Sequence, residues 1–374
     1  MLFVLATAAH AGAPEQAKRI YERIAGEPPP PAVLTQMTAA INGQPGQAGL
    51  VAAAAIATQA SGFYNVTLKN MVIPWTNRDQ TVFAPLNDYA ATVIGMVRDD
   101  ADFSTALSAD VLYTVNSGGL PAVSAANNDH YAAAETNGVD LMSTLKKTTQ
   151  SATYGLPAEA VAGLMTTRGA ASAFFINGTN RAMFRFTLMN HLCHDMEQVM
   201  DTTRPTDRVR QDVARSPGGD SRIFLNQCAG CHSGMDPMAQ AFAYYNFDAN
   251  AGQLVYTAGV VQPKYTINAS NFPFGFVTPD NSWSNRWRAG PNASFGWGSG
   301  PGSGTGAASL GQELASSDMF AQCQVTKVFQ AVCFRAPNSS TDQATVSSIK
   351  ASFKANGYKL KQVFQQSAAA CAGS

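Results

Sequence analysis

From Ala13 to Ala25 apolar and polar positions recur with the spacing of an amphipathic helix, which Gly26 and the four prolines Pro28 to Pro31 must end because proline offers no backbone N–H. A second helix is expected to begin near Ala32. Further helical patterns run through 48–61, 86–98 and 158–166, separated by turn-rich stretches such as 116–121. Alternation of β-branched and aromatic residues over 63–73 and 254–267 allows short strands, but nothing supports a large sheet, a repeated βαβ unit or an internal repeat. Seven glycines fall between 290 and 306, without the strand-then-helix context of a phosphate-binding turn, and read as a long loop or linker. Three helical segments follow, 317–334, 341–355 and 360–370, with Asn356-Gly357 as a cap between the last two. The expected architecture is mainly α: a helical region over 12–160, a central region with the Gly-rich loop over 161–310, and a three-helix tail over 311–374.

The chain has 374 residues, 25 basic and 25 acidic, with charged residues at 13% where globular domains average roughly 25%. A net charge of +0 gives no footprint for nucleic acid or an anionic membrane. No uncharged apolar run reaches the ~18 residues of a membrane span; the nearest, Gly49 to Ala60, is short and broken by Thr58 and Gln59. Residues 1–11 are apolar and end in Ala9-His10-Ala11, matching the small-x-small cleavage rule, and read as a signal-peptide remnant without a basic leader.

The chemistry concentrates in Cys228-Ala-Gly-Cys231-His232, the C-x-x-C-H attachment sequence of c-type haem. Six Cys and five His placed at random in 374 positions would give on the order of 10⁻³ such matches, so chance is a poor account. Positions i, i+3 and i+4 share one helix face, which lets two thiols form thioethers to the vinyl groups while the His232 imidazole reaches iron from the same side. Phe224 lies on that face one turn earlier and is expected against the porphyrin edge. Structural zinc would need two more close ligands, and Cys193, Cys323, Cys333 and Cys371 are scattered. A thioredoxin-like pair would need a preceding strand, whereas 220–227 reads as the first turns of a helix.

The run from Cys228 through Met235-Asp236-Pro237 to Phe247-Asp248 resembles the C-x-x-C-H-x-x-M-D-P motif of exported bacterial cytochrome-c-like proteins, the planctomycete-type cytochrome family. Two flanking stretches are similar, Ala162 to Cys193 and Phe320 to Phe364. The likeness covers about residues 160–374 and departs in length over 253–311. It implies one covalent haem c in an exported, periplasmic or extracellular protein, and names no substrate.

The second axial position is open to several readings. Class I cytochromes take a downstream Met, but none lies between Met238 and Met319. Met235 and Met238 follow His232 too closely to reach the opposite face and read as shaping a turn, with Met235 kept among the residues beside the cofactor. On a helix over 183–200, His191 falls at the rim of the apolar arc, making it the favoured distal ligand, while His194 falls on the solvated face. A Met from that helix or an open iron are the alternatives. Arg185, within the apolar arc, is free to snorkel or to meet a haem propionate.

Haem attachment and disulfides share an oxidising compartment, so the other four cysteines are expected to pair. Cys323 and Cys333 lie ten residues apart on one helix, roughly 15 Å of rise, too far for a bridge. An up-down-up tail then joins Cys333 to Cys371 and leaves Cys193 for Cys323; in a cytosolic chain all four would be free. Neither G-x-S-x-G nor H-E-x-x-H occurs. Trp283, Trp287, Trp297 and the aromatics at 244–247 read as packing. The functional expectation is a mono-haem electron-transfer protein with an unidentified redox partner, alone or as a homo-oligomer. A haem enzyme with an open iron, or a redox-sensing or structural haem module of a cell-surface assembly, stand as alternatives.

Overall fold

The computed structural model describes residues 12–373 and is mainly helical, so the expected leader 1–11 lies outside the described residues. Strands are confined to three two-stranded antiparallel hairpins among the described residues, and no helix there is long and apolar enough to cross a membrane. Two compact units are present, one of residues 1–68 with 325–374 and one of 69–324; the expected boundaries at 160 and 310 both fall inside the second.

In the first unit the opening helix Ala13–Ala25 buries Ala17, Ile20, Tyr21, Ile24 and Ala25, one stripe at i, i+3, i+4, i+7 and i+8. Gly26 ends it at φ 75°, where a side chain is strained, and its N–H closes onto the Glu22 carbonyl. Helices Pro31–Gly43 and Gln47–Ala57 follow, the former starting one residue before the expected point with Pro31 in its first turn. The tail helices Asp318–Cys333, Ser340–Ala355 and Leu360–Ala370 match their expected spans closely. They do not stand apart as a separate bundle, since Leu360–Ala370 packs against Gln47–Ala57 as well as Ser340–Ala355. Residues 63–68 form a π-helix instead of a strand. Their buried residues Phe63, Tyr64 and Leu68 stand one and five apart, the π spacing, and Val66 is exposed where strand alternation would set it on the same face as Tyr64 and Leu68.

The second unit is organised on the helix Asp88–Arg98, buried on every side from Asp88 to Val97, with its polar residues Asp88 and Thr92 hydrogen-bonded. The hairpin Leu112–Val115 with Leu145–Thr148 lies on it, and a Cβ at Gly95 would stand 2.1 Å from the Tyr113 ring. Instead of one helix over 158–166 there are two short 3₁₀ turns, Ala158–Ala160 and Gly163–Thr166. The expected strand after 254 is shorter, Gln253–Tyr256, paired with Tyr245–Asp248. Helices Arg181–His191, Ala229–Ala239 and Gly306–Ala315 complete the unit.

The Gly-rich segment is a packed brace, not a linker. It holds a 3₁₀ turn at Pro291–Phe295 and a strand Ser303–Thr305 paired with Ser282–Ser284. Glu313, fully buried, ties its ends: it receives Nε and Nη2 of Arg288, the Asn285 amide and the Gly302 N–H. Trp283, Trp287 and Trp297 are all buried, the packing role expected of them.

Candidate haem-attachment site

The motif sits where a π-turn, Phe224–Cys228, runs into the α-helix Ala229–Ala239. Asp220 starts this run by accepting the Arg222 N–H, a side-chain cap on a first orphan donor. The expected turn at Met235 to Met238 is not formed. The helix continues through them with Pro237 inside it, and both methionines are buried. Gly230 and Gly234 allow neighbours to approach the side opposite the thiols. A Cβ at Gly234 would lie 1.9 Å from Trp287 Nε1, and one at Gly230 would lie 3.3 Å from Met200. Asp201 N–H donates to the Gly230 carbonyl at 3.0 Å and Ser233 Oγ donates to the Asp201 carbonyl at 3.0 Å, so segment 200–201 clamps the helix from behind. The Gly-rich brace supports that clamp through Asn292 Nδ2 on the Val199 carbonyl at 2.9 Å.

Cys228, Cys231 and His232 face the other way and are partly exposed. Four of the six cysteines form Cys193–Cys323 and Cys333–Cys371, the expected pairing, and Cys228 and Cys231 stay outside both bridges. The Cys231 thiol lies 3.5 Å from the Met196 carbonyl, and its pKa is raised, first by burial and then by Cys228, Glu197 and Asp195. Among the described residues no group of three or more His, Cys, Asp or Glu is placed to hold a metal ion.

His232 is oriented by Asp236, one turn on, whose oxygens lie 3.2 and 3.1 Å from Nδ1. This bond directs Nε2 away from the carboxylate, on a side chain that remains 19% exposed. Asp236 itself is fully buried, and Arg181 grips it with Nε at 2.7 Å and Nη2 at 2.9 Å while also binding Asp212 at 2.6 and 2.9 Å. Arg210, also buried, adds Nη2 at 3.6 Å and stacks on the Tyr265 ring at 4.6 Å. Burial alone would raise the Asp236 pKa, but Arg181, Arg210 and His232 together hold it well below the usual carboxylate range. The histidine is thus backed by a fixed negative charge.

Phe224 is buried with Val209 and Ala229, and Cys228 packs against that cluster. Beyond it opens a cavity of about 430 Å³ whose wall includes Phe224, Leu225, Phe272, Phe274 and Arg215. Phe274 is 92% exposed and Leu225 56%, unusual for large apolar side chains. Arg215 lies over the rings of Phe224 and Phe272 at 4.7 and 4.4 Å.

His191 is placed elsewhere. The helix ends there, and the continuous wheel over 183–200 is interrupted by Cys193 at φ 56° and a separate 3₁₀ turn, Met196–Val199, opened by an Asp195 capping box. His191 is 1% exposed, its Nε2 lies 2.8 Å from the Tyr89 hydroxyl, and its ring stacks on Phe320 and meets Trp75 edge-on. The cavity beside it measures about 10 Å³, too small for a porphyrin. With Nε2 engaged in a packed core, His191 is a structural histidine in this geometry. Its burial agrees with the rim of the apolar arc, but the apolar surroundings are Tyr89, Trp75 and Phe320. His194 is half-buried against Phe295 rather than solvated, and Arg185 forms a two-toothed pair with Asp195 at 2.6 Å for both bonds. The Asp236–Arg181–Arg210–Asp212 network behind His232 was missed. Its only sequence signal was the acid at i+4 from the histidine, which shares the histidine's helix face.

No family model matches the chain, and neither does any curated protein or solved structure.

Proposed function

We propose that this chain is an exported electron-transfer protein carrying one haem c, attached through Cys228 and Cys231 and ligated by His232. One observation carries the reading: in a chain whose other cysteines are paired, the two motif thiols stand free on one helix face with an imidazole whose Nδ1 is already committed to a charged carboxylate. That is the arrangement an iron-ligating histidine needs, with the outer hydrogen bond setting tautomer and ring angle. The likeness to the planctomycete-type cytochrome motif points the same way, and the two disulfides suit the oxidising compartment in which haem is attached.

When bound, the haem supplies a one-electron iron couple. The protein's part is to keep geometry constant between oxidation states. Asp236, locked by Arg181 and the buried Arg210, would prevent the His232 ring from turning, and its charge would stabilise the ferric form over the ferrous. Phe224, with the apolar wall of the neighbouring cavity, offers the porphyrin an edge to pack on. Met235 is buried within the same helix and supports it from inside.

Engagement of His191 by Tyr89 favours a second reading, a haem enzyme with an exchangeable distal position, over the bis-histidine form. Spin state separates the two. Purified protein with low-spin haem in both oxidation states and slow peroxide turnover fits electron transfer; high-spin ferric haem with rapid peroxide-dependent oxidation would replace that assignment with the enzyme.

A further inference from the structure

Away from the motif, the second unit contains a cavity of about 310 Å³ between the Tyr245–Asp248/Gln253–Tyr256 hairpin and the residues around Tyr154 and Arg168. Its lining is uncharged apart from Arg168. Among the described residues this arginine makes no ion pair: Nε is buried without a hydrogen-bond partner, and Nη2 reaches only the Ala126 carbonyl at 3.4 Å. The guanidinium lies 6.0 Å from the centre of the Phe247 ring, a weak cation–π contact. With Nε covered, the two Nη nitrogens are the donors a ligand can reach, and a carboxylate is the acceptor whose two oxygens fit them.

The wall that presents Arg168 is fixed in advance. Asp88, buried beneath the cavity, accepts the Arg168 N–H at 2.6 Å, the Gly169 N–H at 2.8 Å and the Tyr154 hydroxyl at 3.0 Å. One carboxylate therefore holds both Arg168 and Tyr154 in place, and neither needs to be ordered when a ligand arrives. Asp88 bonds the Arg168 backbone and meets the guanidinium only as a charge beyond ion-pair distance, leaving its hydrogen bonds to the cavity. Tyr256 stays a neutral donor, its pKa raised by burial and by the nearby, exposed Glu159. The remaining surface is apolar, from Leu156, Pro157, Leu254 and Val255.

We propose that this cavity binds a small organic carboxylate with an apolar or aromatic body, its carboxylate on Arg168 and its body against Leu254 and the tyrosine rings. The volume suits a ligand of roughly benzoate size, at the lower limit of small-molecule sites. This inference is independent of the haem assignment.

Calorimetric titration of the full chain with benzoate tests it, with benzyl alcohol and inorganic phosphate as separate probes. Saturable benzoate binding is expected, with benzyl alcohol weaker by about tenfold or more because it lacks the charge-assisted bonds. Arg168→Gln should weaken benzoate by a similar factor. Leu254→Trp, which leaves Arg168 in place and fills the cavity, should abolish binding; circular dichroism of both variants verifies folding. Absence of saturable benzoate binding, equal affinity for benzyl alcohol, tighter binding of phosphate, or unchanged affinity in a folded Arg168→Gln or Leu254→Trp variant would each overturn the proposal.

Discussion

Asp236 and His191 are both buried polar residues, yet one orients the motif histidine and the other is packed into a core away from it. Asp236 accepts from His232 and is clamped by Arg181 and Arg210, so Asp236→Asn leaves the buried Arg210 without its nearest counter-charge and Arg181 with Asp212 alone. Breaking such a buried pair is expected to lower stability by about 3–5 kcal/mol, measured by urea denaturation at neutral pH. The pH dependence has a definite sign. The folded pKa lies below the unfolded value of about 3.9, so the carboxylate's contribution is complete above that value and is lost as pH falls from it toward the folded pKa. The Asn variant should therefore lose less stability than the parent across that acid range. His191→Ala, by contrast, removes a ring packed among Trp75, Phe320 and Tyr89, and should destabilise by about 2–4 kcal/mol while leaving the haem absorption spectrum unchanged. A shift to high-spin haem in that variant would restore His191 as a ligand. Cys228, Cys231 and His232 were legible as a candidate site because the haem proposal rests on their spacing, and the structure adds that both thiols stay outside the disulfides. The arginine network was not, because Arg181 and Arg210 come from 55 and 26 residues upstream and carry no mark of their destination.

Among the elements, helices with a single buried stripe were read almost to the residue, as in Ala13–Ala25 and Leu360–Ala370. Where burial surrounds the backbone or the ladder changes period, pattern fails: Phe63–Leu68 carries a strand-like composition on a π-turn, and the stretch after His191 breaks at Cys193. The Gly-rich segment misled in the other direction, since its glycines admit the Arg288 and Glu313 side chains, with Cβ positions at Gly300 and Gly302 as near as 2.3 and 3.1 Å to them. The disulfide pairing was legible because helix rise forbids one alternative and tail topology selects among the rest. Cys193–Cys323 closes a separation of 130 residues and Cys333–Cys371 one of 38. Loop entropy in the unfolded chain then assigns about 5 kcal/mol to the first and about 4 to the second. Serine replacement of the Cys193–Cys323 pair is expected to lower the denaturation midpoint more than replacement of Cys333–Cys371; the reverse order would show that unfolded-chain entropy does not govern them.

At the scale of the molecule, a near-neutral, charge-poor chain with two disulfides, and an attachment helix that leaves only Cys231 and His232 partly exposed, suits the proposed oxidising compartment. The second unit surrounds Asp236, the buried partner of His232, with Arg181 and Arg210, and sets the exposed Leu225 and Phe274 in a wall near the same helix. Both features follow if a large flat cofactor belongs there. Acid-acetone extraction of protein produced with a haem-attachment apparatus tests this most directly, with the Cys228→Ala/Cys231→Ala variant in parallel. Haem should remain with the parent polypeptide after extraction and be missing from, or extractable out of, the double variant. Complete extraction of haem from the parent, or unaltered retention in the double variant, would contradict covalent attachment at this site.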